Sequence, residues 1–230
     1  MQNLKNLTVI IVTYKTPKKI LENCLNSIKG NVKILIIENS KKFEYQEYFK
    51  IKFPKIKIVC SGSNLGYGKG NNLGLKLIST NYALILNPDI VCEKKFFKNL
   101  SKIISKKINF NIIGCQYTKD KVFMPAGYFD EKNNYIFKEK FYKGKINDFT
   151  KVDWVTGCSM LINLKKFKEK EIFDKKYFLY FEEFDLCKSI IDKGKYVFTA
   201  KNLKVHHLGF KSSIGKNLKE NKNAINLKTW

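Results

Sequence analysis

The alternation of strand-like and helix-like segments constrains the fold of this chain more than any other feature. Residues 7–13 (LTVIIVT) form a continuous apolar run rich in β-branched side chains, typical of a strand covered on both faces. An amphipathic segment follows, and we expect Thr16 to cap this helix, Pro17 to occupy its first position and Gly30 to end it. The chain therefore begins with a strand followed by a helix whose two ends are both marked.

The same alternation continues along the chain. We expect strands at 32–37, 55–60, 82–86 and 111–115, a glycine-rich loop at 61–72, and helices from there to about 79 and at 93–107. Residues 116–150 are expected to form a long loop region with short strands, and 152–163 to be strand-like around a glycine. This order predicts an α/β fold with a mostly parallel sheet and helices on both faces.

Polar residues follow several of the predicted strands at their carboxyl ends. Tyr14, Glu38, the loop from Ser61 and the Asn87-Pro88-Asp89 segment all stand just past such an end. In open α/β sheets, ligands bind beyond these ends, so Asp89 is placed to hold a metal ion or another ligand. The alternative is a plain turn, since Asn-Pro-Asp is common turn chemistry, and for this segment alone the turn is favoured.

Three carboxylates cluster late in the chain, at Glu182, Glu183 and Asp185, where a helix is expected to begin before a stop at Gly194. Acidic residues stabilise a helix N-terminus, which is one interpretation. The other is a general base held in a partly apolar wall. The pattern leaves these two interpretations about even.

Two further features are weaker signals. His206 and His207 are the only histidines, and an imidazole is a good partner for an ion that a carboxylate holds, although an interface or core histidine is as common. The segment SGSNLGYGKGNN matches neither the P-loop nor the GxGxxG spacing. Its backbone N–H groups and Lys69 can nonetheless face phosphates.

Composition limits the classes of protein to consider. No apolar run reaches the 18 or so residues of a membrane span, and the short block LTVIIV is not a signal-peptide core. Six scattered cysteines indicate neither a zinc ribbon nor a disulfide framework, and favour reduced thiols in a cytosol. The net charge is +24, but every basic residue is lysine, which favours solvated surface charge over a dedicated nucleic-acid site.

Taken together and in order, these segments resemble the family-two inverting glycosyltransferases of GT-A fold, particularly the rhamnosyltransferase-like branch. The matching stretches are VIIVTYK, LIIENS, SNLGYGKGNNLGL, YALILNPDI, VDWVTGCSMLIN, FDKKYFLYFEEFDLC and VHHLGFKSS. The resemblance implies one Rossmann-like three-layer domain over 1–213, with a nucleotide-sugar-binding half at 1–92, an acceptor-binding and catalytic half at 93–213, and a polar tail at 214–230.

The resemblance also implies roles for individual residues. Glu183 matches the catalytic base, with Glu182 and Asp185 beside it, and Asp89 the ligand of Mg²⁺ or Mn²⁺, joined by His206 or His207. Trp154 and Gly157 would shape the acceptor site. Trp154 would stack on a sugar, although a buried place in the core is the default for a tryptophan. The donor would be bound by Thr13, Tyr14, Glu38, Asn64, Lys69, Asn72 and Asn87.

The implied function is transfer of rhamnose or another hexose from a UDP- or dTDP-type donor to a glycan or lipid-linked saccharide, in surface polysaccharide synthesis. We expect a bacterial enzyme in the cytoplasm, with peripheral contact at the inner membrane face and no nucleic-acid partner. The donor base, the sugar, the acceptor, the linkage and the oligomeric state are not fixed by these residues.

The sequence departs from the family pattern at three positions. Lys15 replaces the usual Asn, while Glu38 and Glu183 replace the usual Asp, so each changes the reach of its side chain. The chain also ends soon after the histidine motif, as a short member or a fragment would. The alternatives are a basic module that binds nucleic acid or anionic membrane without catalysis, a sugar nucleotidylyltransferase, which would carry an N-terminal glycine-rich loop, and an inactive relative.

Overall fold

The structure, a computed structural model, describes residues 2–106, 108–117, 126–129, 140–141 and 147–208. The α-helices in this part are α1 (Lys18–Ser27), α2 (Gln46–Lys52), α3 (Tyr67–Lys76), α4 (Phe96–Ser105) and α5 (Glu182–Ile191). Short 3₁₀ helices span Gln2–Asn6 and Leu164–Lys166. The strands are β1 (Leu7–Thr13), β2 (Lys33–Glu38), β3 (Ile56–Cys60), β4 (Tyr82–Leu86), β5 (Ile90–Cys92), β6 (Ile112–Tyr117), β7 (Ala126–Tyr128), β8 (Lys140–Phe141), β9 (Thr150–Val152), β10 (Trp154–Val155), β11 (Ser159–Asn163) and β12 (Val197–His207).

The main sheet joins both halves of the chain, in the order β3-β2-β1-β4-β11-β6-β12-β5, with β9 pairing to β12. Strands β3, β2, β1 and β4 are parallel to one another. Strand β11 enters antiparallel between β4 and β6, whereas β12 runs parallel to β6 and antiparallel to β5 and β9. A small second sheet has the order β10-β7-β8. The carboxyl ends of the parallel strands therefore meet at one edge.

Side chains on the strands alternate between two hydrophobic cores, as the period of two requires. Val9 and Ile11 on β1 pack in the core that contains residues of α1, α2 and α4. Ile10, between them, packs in the core that contains residues of α3 and α5. The sheet is thus covered on both faces, and the predicted three-layer α/β architecture is confirmed.

Helix α1 does not begin as predicted. Pro17, not Thr16, occupies the N-cap position, and its carbonyl oxygen accepts the first helical hydrogen bonds from Ile20 and Leu21. The helix also ends at Ser27, and Gly30 turns the chain only afterwards, with φ of 92°.

Helix α3 includes residues that the sequence assigned to a loop, because it begins at Tyr67 rather than near Leu73. Its glycines weaken helix propensity but let the helix lie close to β1. A Cβ on Gly74 would stand 2.7 Å from Cγ2 of Ile10, and one on Gly70 would stand 2.9 Å from Cγ1 of Val12. Residues 67–72 therefore belong to a helix that packs closely on the sheet, and not to the loop that their composition predicted.

Helix α2 was not predicted, because its seven residues carry one fully buried side chain, Phe49, and little helical periodicity. Much of the predicted loop region 116–150, and the whole polar tail, lie outside the described residues. In the part of the chain that is described, no helix combines the length and apolarity of a membrane-crossing segment.

Candidate active site

The strand ends of β1 and β2 place Thr13 and Glu38 side by side. The Thr13 hydroxyl donates a hydrogen bond of 2.5 Å to Oε2 of Glu38, and both side chains are buried. Tyr14, the next residue, is exposed, and the Lys15 ammonium stands 5.3 Å from the centre of its ring. Of these three predicted donor-site residues, the structure buries two as a pair and leaves Tyr14 at the surface.

The turn into α3 is built by two asparagines. Asn64 accepts a hydrogen bond from the N–H of Gly66 at 3.1 Å through Oδ1, and the Asn39 amide donates to the Gly66 carbonyl at 2.8 Å. Asn39 comes directly after β2, so this bond ties the strand end to the start of the helix. Lys69 is exposed on α3. Sequence reasoning missed Asn39, although it follows Glu38 at the predicted edge.

Asn72 does not line an open pocket, contrary to the role that the resemblance implied. It is buried in α3, and its Oδ1 accepts from the N–H groups of Ile172 and Phe173 at 3.0 and 3.1 Å. Its amide donates to the Phe173 carbonyl at 2.8 Å. Asn72 therefore holds the segment before α5 against the first half of the fold.

Asp89 lies beneath the surface, between the end of β4 and the start of β5, with 1% of its side chain exposed. Its Oδ1 is 3.3 Å from Nε2 of His207. Its backbone carbonyl accepts from the N–H of Leu208 at 3.0 Å, so the chain just after β12 is fixed beside it. Cys24 of α1 lies beside this loop, where its thiol donates to the Asn87 carbonyl at 3.7 Å. Burial, and then the charge of Asp89, raise the pKa of this thiol.

The pairing of β12 with β5 distinguishes the two histidines. His207 stands opposite Ile90 and His206 opposite Val91, so their side chains point to opposite faces of the sheet. His206 lies with Nε2 3.8 Å from a carboxylate oxygen of Glu93 instead. The structure thus brings His207 to Asp89 and does not bring His206 there.

Asp89 and His207 fit a divalent cation. Both carboxylate oxygens of Asp89 are buried and accept no hydrogen bond from the described residues. This arrangement is costly for a carboxylate unless a positive charge compensates it. Among the described residues no cluster of three or more His, Cys, Asp or Glu could hold a metal. A site with one carboxylate and one imidazole leaves positions for phosphate oxygens and water, which Mg²⁺ and Mn²⁺ commonly take.

Glu183 sits in the first turn of α5 beside Gly157. Its Oε1 accepts a hydrogen bond from the Gly157 N–H at 3.4 Å, and a Cβ on Gly157 would stand 3.4 Å from three atoms of Glu183. The Gly157 carbonyl accepts a hydrogen bond from the Tyr67 hydroxyl. Gly157 therefore joins the carboxylate to α3, and Tyr67 is a site residue that the sequence did not single out.

Glu182 differs from Glu183 in its surroundings. It is 2% exposed and packs against Gly68 of α3, where a Cβ would stand 3.5 Å from its own. Burial, and then the charge of Glu183, raise the pKa of Glu182 to about 8. Its surroundings therefore favour the protonated form of Glu182 at neutral pH.

Asp185 interacts with the segment before α5. Burial and the charge of Asp174 raise its pKa, while a hydrogen bond with Tyr177 lowers it. These partners belong to the segment before α5, so the structure does not join Asp185 to Glu183.

Trp154 is not available to stack on an acceptor sugar. Its ring is 1% exposed, its Nε1 donates to the Tyr128 carbonyl at 3.3 Å, and the ring of Phe184 packs 4.9 Å from it, centre to centre. The residue instead supports α5 from inside the second core. Of the two predicted acceptor residues, only Gly157 lies beside the candidate base.

One backbone contact connects the two groups of carboxylates. The N–H of Asn87 donates to the carbonyl of Cys158 at 2.8 Å. Asn87 is two residues from Asp89, and Cys158 follows Gly157, which bonds Glu183. Because β11 pairs antiparallel with β4, the candidate cation ligand and the candidate base lie on the same rim of the sheet.

Known sequences match this chain over most of its length. A model of the family described as Glycosyl transferase family 2 matches residues 8–170. The chain is 26% identical over 192 residues to the low-salt glycan biosynthesis hexosyltransferase Agl10 of Haloferax volcanii, covering 80% of this chain and 61% of that protein. It is 29% identical over 193 residues to the rhamnosyltransferase WbbL of Escherichia coli K12, covering 74% and 70% respectively. The chain thus spans less than two thirds of the length of the first relative.

Solved structures share the fold at low sequence identity. GalNAc-T7, crystallised with UDP, GalNAc and Mn²⁺, superposes with a TM-score of 0.70 at 17% identity, over 90% of this chain and 43% of that one. Residues 1–349 of TarS from S. aureus superpose with a TM-score of 0.60, and their complex with UDP with 0.59, each at 14% identity over 86% of this chain and 59% of that one. These likenesses confirm the predicted GT-A fold.

Proposed function

The chain belongs to glycosyl transferase family 2, as its motifs predicted, and on that premise we propose that it is an inverting, metal-dependent sugar transferase. The observation that carries this proposal is the Asp89–His207 pair, in which both oxygens of the buried carboxylate lack a hydrogen bond from any part of the chain that is described. It lies on the same rim as Glu183, a carboxylate in the first turn of a helix. A cation site and a base on one rim are what transfer from a diphosphate donor requires.

The donor binds at the carboxyl ends of β1–β4. Tyr14, exposed beside this edge, contacts the nucleotide base, while the buried Thr13–Glu38 pair fixes the strand ends beneath the ribose. Asn64 shapes the turn into α3, Asn87 holds the loop that carries Asp89, and Lys69 offers positive charge to the phosphates. Asn72 contributes indirectly, by holding residues 172–173 in place.

Asp89 and His207 would hold Mg²⁺ or Mn²⁺. When bound, such an ion supplies positive charge that stabilises the departing diphosphate. The electron pair of the broken glycosidic bond then leaves on the diphosphate oxygen. GalNAc-T7, which shares the fold, was crystallised with UDP and Mn²⁺, and this is consistent with the assignment.

Glu183 takes the proton of the acceptor hydroxyl. The neighbouring Glu182 is buried and its pKa is raised to about 8, partly by the charge of Glu183, so we assign the role of base to Glu183. The positive end of α5 stabilises this carboxylate, and the Gly157 N–H fixes its orientation. Attack from the face opposite the leaving group inverts the anomeric carbon, and general-base catalysis typically contributes about 10²- to 10⁴-fold.

The relatives support the substrate classes that we propose. A hexosyltransferase of glycan biosynthesis and a rhamnosyltransferase are among them, which supports a hexose or rhamnose donor of UDP or dTDP type. The acceptor is a glycan or a lipid-linked saccharide in surface polysaccharide synthesis. The excess of lysine favours weak attraction to the anionic cytoplasmic face of a membrane.

The test is nucleotide release from UDP-glucose, UDP-N-acetylglucosamine and dTDP-rhamnose, each with methyl glycosides as acceptors and with or without Mn²⁺. We expect metal-dependent consumption of one donor, and a loss of about 100-fold or more in Glu183→Gln. Glu47→Gln, which removes an exposed carboxylate on α2, is the matched control and should keep full activity. Failure of every donor to be consumed, with or without metal, would contradict the proposal.

A further inference from the structure

Three aromatic side chains of one short segment are exposed directly before the candidate base. Phe178, Tyr180 and Phe181 expose 43%, 48% and 37% of their surface, respectively. Exposed large aromatics in series are uncommon on a solvated surface and mark binding sites. Trp154 is buried and offers no aromatic surface to an acceptor. The exposed segment, in contrast, lies next to Glu183 in the chain.

The backbone of this segment adopts a costly conformation. Tyr180 and Phe181 have φ of 72° and 69°, in the left-handed region that side chains other than glycine rarely occupy. Two such residues in succession persist only where their surroundings determine them, and residues of this kind concentrate at functional sites. The strain turns the chain sharply into α5 and leaves both rings outside the core.

Contacts with α3 hold the segment in place. The Phe178 carbonyl accepts a hydrogen bond of 2.9 Å from the Tyr67 N–H. It also lies against Gly66, where a Cβ would stand 2.0 Å from the same oxygen, so only glycine fits. The carbonyl of Phe181 accepts from the N–H of Asp185 at 3.0 Å, which begins the helix. The exposed rings are therefore presented from a fixed backbone.

Phe181 is the outer member of a series of three rings. Its ring centre lies 6.1 Å from that of Phe184, which lies 4.9 Å from that of Trp154. Trp154 is buried, whereas Phe181 is exposed. The buried rings thus support one whose own surface is open, two residues before Glu183.

We propose that Phe181, with Tyr180 beside it, is the platform on which the sugar ring of the acceptor packs, its hydroxyl directed to Glu183. This inference rests on the proposed function and assigns to Phe181 the role that the sequence gave to Trp154. A pyranose has an apolar C–H face that suits an aromatic ring and a polar edge that suits a carboxylate. A hydrocarbon chain would not suit this place, because it would desolvate the charged Glu183 beside the rings.

The experiment is saturation-transfer NMR on the full chain with UDP and Mn²⁺ present. The probes are methyl α-L-rhamnopyranoside, methyl β-D-glucopyranoside and the methyl β-glycoside of N-acetylglucosamine. We expect transfer to the ring C–H protons of at least one glycoside, lost in Phe181→Ala and retained in Phe181→Trp. Ile51→Ala is the matched control, since it removes an 80% exposed apolar side chain from α2, and it should change nothing.

Unchanged transfer to the glycoside in Phe181→Ala would overturn the proposal. So would the absence of transfer to any of the three glycosides from a wild-type protein that binds UDP. A wild-type protein that binds no nucleotide would instead contradict the proposed function itself. Sedimentation with vesicles of phosphatidylglycerol and phosphatidylcholine tests whether Phe181 binds a membrane instead of a sugar. Loss of vesicle binding in Phe181→Ala with glycoside signals intact would overturn the sugar assignment.

Phe181→Gly keeps the experiment decisive if the alanine variant unfolds. Glycine accepts the left-handed backbone without strain, so we expect the melting temperature to be unchanged or higher while the glycoside signal is lost. A glycine variant that keeps the signal would overturn the proposal.

Discussion

His207 reaches Asp89 across the pairing of β12 with β5, with Nε2 of the imidazole 3.3 Å from Oδ1 of the carboxylate. Because alternate residues of a strand face opposite sides, the neighbouring His206 is directed away, toward Glu93. The adjacent histidines, equivalent in the sequence, are therefore expected to behave differently.

His207→Ala should weaken Mn²⁺ binding by about tenfold or more, a change equivalent to about 1.4 kcal/mol, since it removes one of the two protein ligands that we assign. His206→Ala is the matched control and should leave the affinity unchanged. Titration of each variant with Mn²⁺ in the presence of UDP, followed by the electron paramagnetic resonance of free Mn²⁺, measures both. Equal weakening by the two substitutions would contradict the assignment.

The stability of the protein should depend on the protonation of Glu182. The folded state raises its pKa from 4.5 to about 8, so the folded form binds this proton more tightly than the unfolded form. The resulting stabilisation is fully present below about pH 4.5 and is lost as the pH rises through about 8. One pKa unit corresponds to about 1.4 kcal/mol, so the loss should amount to several kcal/mol.

Glu182→Gln should remove this dependence, because the amide has no proton to lose in this range. Thermal unfolding between about pH 5.5 and 8.5 should show a smaller fall in Tm for the variant than for the wild type. Glu47→Gln, at the surface, should follow the wild type. Parallel curves for Glu182→Gln and the wild type would show that the carboxyl is ionised throughout.

Gly62 and Gly66 form a matched pair of left-handed glycines, with φ of 85° and 80°. A Cβ on Gly62 would meet nothing within 4 Å, whereas one on Gly66 would stand 2.0 Å from the Phe178 carbonyl oxygen. Gly62→Ala should therefore cost only the backbone strain, about 1 to 2 kcal/mol.

Gly66→Ala should lower the free energy of unfolding by about 3 kcal/mol or more, because the methyl group forces the Phe178 segment away from α3. Urea unfolding measures both variants. Similar losses in the two would mean that the contact between Gly66 and Phe178 is not tight in solution.

Tyr67→Phe should lower the free energy of unfolding by about 1 kcal/mol, or Tm by about 2 to 4 °C, through loss of the bond to the Gly157 carbonyl. Since Gly157 also orients Glu183, kcat should fall while KM for the donor is little changed. Tyr196→Phe, an exposed tyrosine, is the control for the removed hydroxyl. An unchanged kcat in Tyr67→Phe would show that the bond from Tyr67 to Gly157 does not help to orient Glu183.

Much of the fold follows from local pattern. The apolar runs of β1, β2 and β4 identified strands covered on both faces, and Asn87-Pro88-Asp89 was placed correctly past a strand end. What local pattern missed was decided by tertiary packing. The glycine-rich start of α3 was predicted to be a loop. Its glycines instead allow α3 to lie close to β1, and this contact involves Ile10 and Val12, which are far away in the chain.

The site shows the same division. The sequence identified Asp89 and Glu183 as candidates by type and order, but it could not choose between His206 and His207, because that choice depends on the register with β5. The resemblance also assigned Trp154 to the acceptor site, whereas the structure buries its ring against Phe184, as is usual for a tryptophan. No sequence pattern identified Tyr67 as a site residue, since its hydroxyl donates to the carbonyl of Gly157, which is 90 residues away in the chain.

The most direct test of the account is calorimetric titration with UDP, dTDP and GDP, each with and without Mn²⁺, for the wild type and for Asp89→Asn. We predict that one nucleotide binds the wild type only when metal is present, and that the variant does not bind it. Without metal or nucleotide, Asp89→Asn should be no less stable than the wild type, because it removes a buried charge whose oxygens accept no hydrogen bond within the described structure. Equal, metal-independent binding to both proteins, or no binding to either, would contradict the account.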